Sequence, residues 1–124
     1  MLNLRENGIT MELGTVSHRM APDTFGIPCE IERMNIPVGT FAKVMFTGKD
    51  DFTERMWVKV TNIVTDGVYE GTLANQPFGE KEFSPLEFGT EIEFASEHII
   101  DINEPEEVSD VDVIDITSDV ADPN

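Results

Sequence analysis

The stretch Arg55-Met56-Trp57-Val58-Lys59-Val60-Thr61-Asn62-Ile63-Val64, then Thr65-Asp66-Gly67, then Val68-Tyr69-Glu70-Gly71-Thr72-Leu73, decides the fold class. From Arg55 to Val64 the residues alternate. Trp57, Lys59, Thr61 and Ile63 fall on one face, and Met56, Val58, Val60 and Asn62 on the other. A period of two over ten residues is the mark of a half-buried strand. Thr65-Asp66-Gly67 is a tight hairpin signal, because glycine supplies the positive φ that such a turn needs. Val68 to Leu73 then returns as the partner strand.

Outward from this hairpin the chain stays β-rich. Phe41 to Phe46 has strand composition, and Gly48-Lys49-Asp50-Asp51 is a polar turn. Asn75-Gln76-Pro77 ends the returning strand, and Phe78 to Phe88, with Gly79 and Pro85, reads as a loop. Gly89 to Phe94 alternates strictly and predicts another strand. Ser96 to Ile100 predicts one helical turn closing on the core. Upstream, Met20 to Phe25 is a loop. Cys29 to Met34, after Pro28, predicts a short helix with acids at its N-terminal end and Ile31 and Met34 three apart. Ile9 to Leu13 alternates but is bounded closely by Gly8 and Gly14. Four or five short strands at this spacing predict a mainly β domain, a small SH3-like barrel or twisted antiparallel roll with one short helix.

Charge divides the chain further. The 124 residues carry 25 acids and 8 bases, a formal charge of −17. Asp101 to Asn124 holds nine carboxylates and no Lys or Arg, hence −9, and residues 1–100 hold 16 acids and 8 bases, hence −8. The expected organisation is an N-terminal extension over 1–23, a β-barrel-like domain over 24–102, and an acidic tail over 103–124. Self-repulsion and the absence of aromatics predict a flexible tail. A binder that grips phosphates needs a basic face, which this balance argues against. No apolar run approaches the ~20 residues that span a bilayer, and no leader pattern is evident. The expectation is a cytoplasmic protein with no membrane association and no direct nucleic-acid binding.

Little in the sequence points to catalysis. Cys29 is the lone cysteine, so no internal disulfide forms, and its neighbours Glu30 and Glu32 disfavour a thiolate. It reads as a small buried residue. His18 and His98 sit beside Ser17 and Ser96, without a nucleophile-elbow motif. His18 reads as a surface residue and His98 as a half-buried anchor of the closing turn. One Cys and two distant His do not make a zinc site. Asp110-Val111-Asp112-Val113-Ile114-Asp115 spaces its acids evenly but lacks the glycine and final glutamate of a calcium loop. Phosphate cradles are absent. No cofactor, no metal and no enzymatic activity are expected.

The residues that stand out as binding candidates are Arg55, Trp57, Asn75, Pro77 and His98 on the body, and Asp110, Asp112 and Asp115 in the tail. Val113-Ile114-Asp115-Ile116-Thr117 is a β-branched run flanked by acids. Such a run suits strand addition to an open sheet edge, and it resembles a SUMO-interacting motif.

Several blocks taken together carry a resemblance: Thr24 to Pro28, Glu32-Arg33, Val38-Gly39, Glu54-Arg55-Met56-Trp57-Val58-Lys59-Val60, Gly71-Thr72-Leu73-Ala74-Asn75-Gln76-Pro77, Gly89 to Phe94, and Glu97-His98-Ile99-Ile100. Over about residues 24–100 the chain resembles a family of small bacterial domains of unknown function. The resemblance implies a binding or accessory role and brings no catalytic residue with it.

Three functions follow as expectations. The first is a non-enzymatic acidic interaction module that meets a protein partner with a basic surface, since complementary charge speeds association and sharpens partner choice. The second is an inhibitor from a phage or mobile element, in which carboxylate rows mimic DNA before a host defence or nucleic-acid enzyme. The third is a small-molecule (nucleotide) binder, with Arg55, Trp57, Asn75 and His98 lining the barrel mouth. A barrel this small usually has a filled interior.

Overall fold

A computed structural model describes residues 1–103 of the chain. Asp110, Asp112, Asp115 and the run Val113 to Thr117 lie outside the described residues, and so does nearly all of the tail proposed over 103–124.

The hairpin forms where the alternation places it. Strand β3 is Thr53–Thr65 and strand β4 is Val68–Leu73, paired antiparallel with Val58 opposite Leu73 and Val60 opposite Gly71. Met56, Val58 and Val60 are buried, while Trp57 is half-buried on the other face and Lys59 is exposed. Beyond Val60 the ladder shifts register, and its tip, with Ile63 and Val64, stands in solvent. Strand β2, Phe41–Thr47, pairs with the other side of β3, and strand β5, Glu91–Ala95, pairs with β4. Each half-buried strand shows one apolar face: Ala42, Val44 and Phe46 on β2, and Ile92 and Phe94 on β5.

A three-residue 3-10 turn, Ser96–His98, follows β5 and hands the chain to strand β6, Ile99–Asn103. β6 pairs with β2 on the edge away from β3, with Lys43 opposite Asp101 and Phe41 opposite Asn103. So few residues between two strands on opposite edges force the edges together, and the sheet curls into a half-barrel. The order β6-β2-β3-β4-β5 makes a curled, antiparallel, mainly β half-barrel, the fold class expected. The single turn expected over Ser96 to Ile100 is therefore half turn and half strand, because Ile99 and Ile100 are buried against the sheet.

The helix content differs from the expectation of one. Helix α1 is Gly14–Met20, helix α2 is Glu30–Met34, and helix α3 is Glu80–Phe83 within the expected loop. α3 carries its last residue, Phe83, into the core, and Leu86, beyond the helix end, is buried there too. In α2 the buried residue is Arg33, whereas Ile31 is 76% exposed. The i, i+3 spacing suggested an apolar face, but a helix of five residues is oriented by its one strong anchor.

The stretch expected as an N-terminal extension is built into the domain. Leu4 and Ile9 lie in the core, and strand β1, Thr10–Met11, pairs with Thr47 and Phe46 of β2. The Leu2 amide bonds to the Glu91 carbonyl of β5 at 3.3 Å. Residues 2–11 thus run from the β5 edge to the β2 edge across the open side of the half-barrel. α1 then packs on β6, where a Cβ on Gly14 would stand 2.7 Å from Ile100 Cγ2. The alternation at Ile9 to Leu13 does become the two-residue strand Thr10–Met11, but nothing periodic marks Leu4 or the way the segment crosses the domain.

Candidate functional site

The outward face of the β2–β3 ladder gathers three of the eight basic residues. Arg55, Trp57 and Lys59 alternate along β3, and register sets Lys43 of β2 directly opposite Trp57, with Phe41 opposite Lys59. The Lys43 ammonium lies 5.1 Å from the Trp57 ring centroid. The Arg55 guanidinium lies 5.4 Å from the ring of Phe25, which comes from the loop between α1 and α2. Cation–π contacts of this kind contribute about 0.5–1 kcal/mol at exposed sites. Among the described residues neither cation hydrogen-bonds to a carboxylate. Asp101, opposite Lys43, turns its Oδ1 to the Ile102 amide at 2.8 Å.

Between this face and the loop runs a groove of about 800 Å³. Phe25, Ile27 and Pro28 form one wall, Lys43 and Arg55 belong to another, and β6 contributes Ile100 to Ile102. Glu32 and Asn35 of the α2 region also line it.

The loop wall is held by specific bonds. The His18 Nδ1–H donates to the Phe25 carbonyl at 2.8 Å. The buried Arg33 donates from Nε to the Pro28 carbonyl at 2.9 Å and from a terminal nitrogen to the Ser96 carbonyl at 3.1 Å. Tyr69 fixes the same helix from below, its hydroxyl donating to the Arg33 carbonyl at 2.7 Å and accepting from the Ile36 amide at 3.2 Å. His18, read as a surface residue, is thus partly buried and structural. Cys29, read as buried, is exposed beside Pro28, because α2 places its N-terminus in solvent.

The other candidates sort by what they touch. Asn75 Oδ1 accepts the Trp57 amide at 2.6 Å, and the Ala74 amide donates to the Trp57 carbonyl at 2.8 Å. Asn75 therefore continues the β3–β4 ladder by one side chain. Pro77 is buried, and the next two amides, of Phe78 and Gly79, are capped by the Glu54 carboxylate. Gly71 is needed because a Cβ there would meet Val58 Cγ1 at 2.7 Å. The block Glu54 to Val60 with Gly71 to Pro77 is accordingly a device that ties the long β4–β5 connection to β3. His98 sits in the 3-10 turn, where its Nδ1 accepts the Ala95 amide at 3.0 Å. Burial pushes its pKa below the usual 6.5, against the opposing pull of Glu97.

Arg55, Trp57 and Asn75 are thus neighbours, but His98 does not join them. The four do not line a common mouth, since Phe46, Met56, Val58, Tyr69 and Phe94 fill the barrel interior. Lys43, Phe25 and Ile27 are the groove residues that sequence reasoning did not single out. Alternation along Phe41 to Phe46 places Lys43 outward and would have found it, whereas no local signal marks Phe25 as a wall.

Among the described residues, no group of three or more His, Cys, Asp or Glu is placed to hold a metal, and no helix is long and apolar enough to cross a membrane. The chain matches no protein-family model, no curated protein and no solved structure.

Proposed function

We propose that the chain is a non-enzymatic interaction module that docks a basic protein surface through carboxylates on the outer face of β4 and β5. The observation that carries this reading is the register of that pair. Glu70 stands directly opposite Glu93, Glu91 is two residues away on the same face, and neither strand holds a Lys or Arg. Like charges directly opposite lower the stability of a sheet, and such a local conflict is expected where a site serves function. Among the described residues Asn62 relieves it, its Nδ2 donating to Glu70 Oε1 at 3.0 Å. β5 pairs with β4 on one side alone, so the face adjoins a sheet edge.

The test uses the full chain and the double variant Glu91→Lys with Glu93→Lys, against partners captured from the native host. Capture should weaken steeply as salt rises and be lost on charge reversal. Capture that responds to neither would sink the reading.

The same fixed carboxylates favour a second reading, mimicry of DNA before a nucleic-acid enzyme. A mimic needs acids held on the folded body, and Glu70, Glu91 and Glu93 are so held. Competition between this chain and duplex DNA for a captured enzyme separates the two readings.

A further inference from the structure

We propose that the groove beside Lys43 and Arg55 is the docking site of the chain's own segment Asp112 to Thr117. Three observations converge on this occupant. The first is charge: in a chain of −17, Lys43, Arg55 and Lys59 share one outward face, and the two cations at the groove rest on rings rather than on carboxylates. A guanidinium stacked on a ring keeps its N–H edge available for a carboxylate.

The second is where the chain leads. β6 is itself a groove wall, and its last residue, Asn103, pairs with Phe41 next to Lys59. From the Phe41 level to the Met45 level, which faces Arg55, is about 13 Å along the strand. The eight residues 104–111 reach about 28 Å when extended, so Asp112 can lie anywhere along the groove. Tethering at this length sets an effective concentration of roughly millimolar, so a weak contact suffices.

The third is pattern. Val113, Ile114 and Ile116 match the apolar wall of Phe25, Ile27 and Ile102, and Asp112 and Asp115 supply the carboxylates for Lys43 and Arg55. Glu32 and Asp101 also border the groove, but Asp101 is engaged by the Ile102 amide. The inference stands without the proposed partner, because its test contains none.

The lone thiol of Cys29, exposed next to the groove, takes a nitroxide label on the full chain. At low salt the amide signals of residues 112–117 should lose more than half of their intensity relative to the reduced label. At 1 M salt, where the Debye length is about 3 Å, they should recover. The sole Trp, Trp57, reports the same change without a label, by a shift in its emission. Asp112→Lys with Asp115→Lys should abolish both signals and leaves every one of residues 1–103 unchanged. Lys43→Glu with Arg55→Glu should do the same, and combining all four changes should restore them. Unbroadened signals at low salt, or broadening that survives both charge changes, overturn the proposal. So does broadening that passes between molecules in a mixture of isotope-labelled and spin-labelled chains, which would make the occupant a second copy.

Discussion

At the residue scale, single polar atoms hold the groove wall in place. Tyr69 is 1% exposed, and its hydroxyl serves both the Arg33 carbonyl and the Ile36 amide. Tyr69→Phe leaves both groups buried without that partner and should cost about 1–3 kcal/mol, read by urea titration. Asn75→Ala should cost about 1 kcal/mol and shift Trp57 emission, because the Trp57 amide loses its acceptor. His98 makes a pH prediction with a defined sign. Its folded pKa lies below the unfolded 6.5, so its contribution is complete above pH 6.5. It declines as pH falls from 6.5 toward the folded value, since the unfolded chain binds the proton first. Melting curves between pH 7.5 and 5.5 should therefore fall more steeply for the natural chain than for His98→Phe. Equal slopes would remove His98 from the account.

At the element scale, the question is what completes the barrel. β1 and the segment before it belong to the folding unit, since Ile9 is 2% exposed and Leu4 packs beside it. Ile9→Ala should cost about 2–5 kcal/mol, whereas Met20→Ala, at an 81% exposed site on α1, should change stability little. Urea unfolding of the two variants checks the contrast, and equal effects would show that residues 1–11 are an appendage after all. The elements legible beforehand were β3 and β5, from alternation, β2 from its composition, β4 from the hairpin turn before it, and α2 from Pro28 and its acidic first turn, each within a few residues of its place. α1, α3 and β6 were not legible. Each is short, and each takes its form from a surface already built: β6 from the free edge of β2, α1 from β6, and α3 from the core that receives Phe83.

At the scale of the whole molecule, charge acts against compactness. Seventeen of the 25 acids belong to the described residues, together with all eight bases. Self-repulsion in such a chain lowers folded stability, and added salt screens it. The melting temperature should therefore rise between about 10 mM and 1 M ionic strength, by about 4–8 °C for each kcal/mol of repulsion removed. A melting temperature that falls with salt would mean that favourable ion pairs outweigh the repulsion. The body is nonetheless not uniformly acidic: on the outer face of the sheet, Glu70, Glu91 and Glu93 mark the β4–β5 end, and Lys43, Arg55 and Lys59 mark the β2–β3 end.

The sequence by itself determined the fold class and the uneven charge. Both are local or additive properties: a period of two needs only neighbours, and a net charge needs only a sum. Of the candidate site, it reached Arg55, Trp57 and Asn75 but not the groove they adjoin. Tertiary structure alone decided that Lys43 lies over Trp57, that Phe25 covers Arg55, and that Asn75 and Pro77 are structural. Those pairings join residues 14 to 30 positions apart, and they depend on how far the sheet curls. The curl follows from three residues spanning β5 to β6, a constraint that no local pattern of side chains encodes.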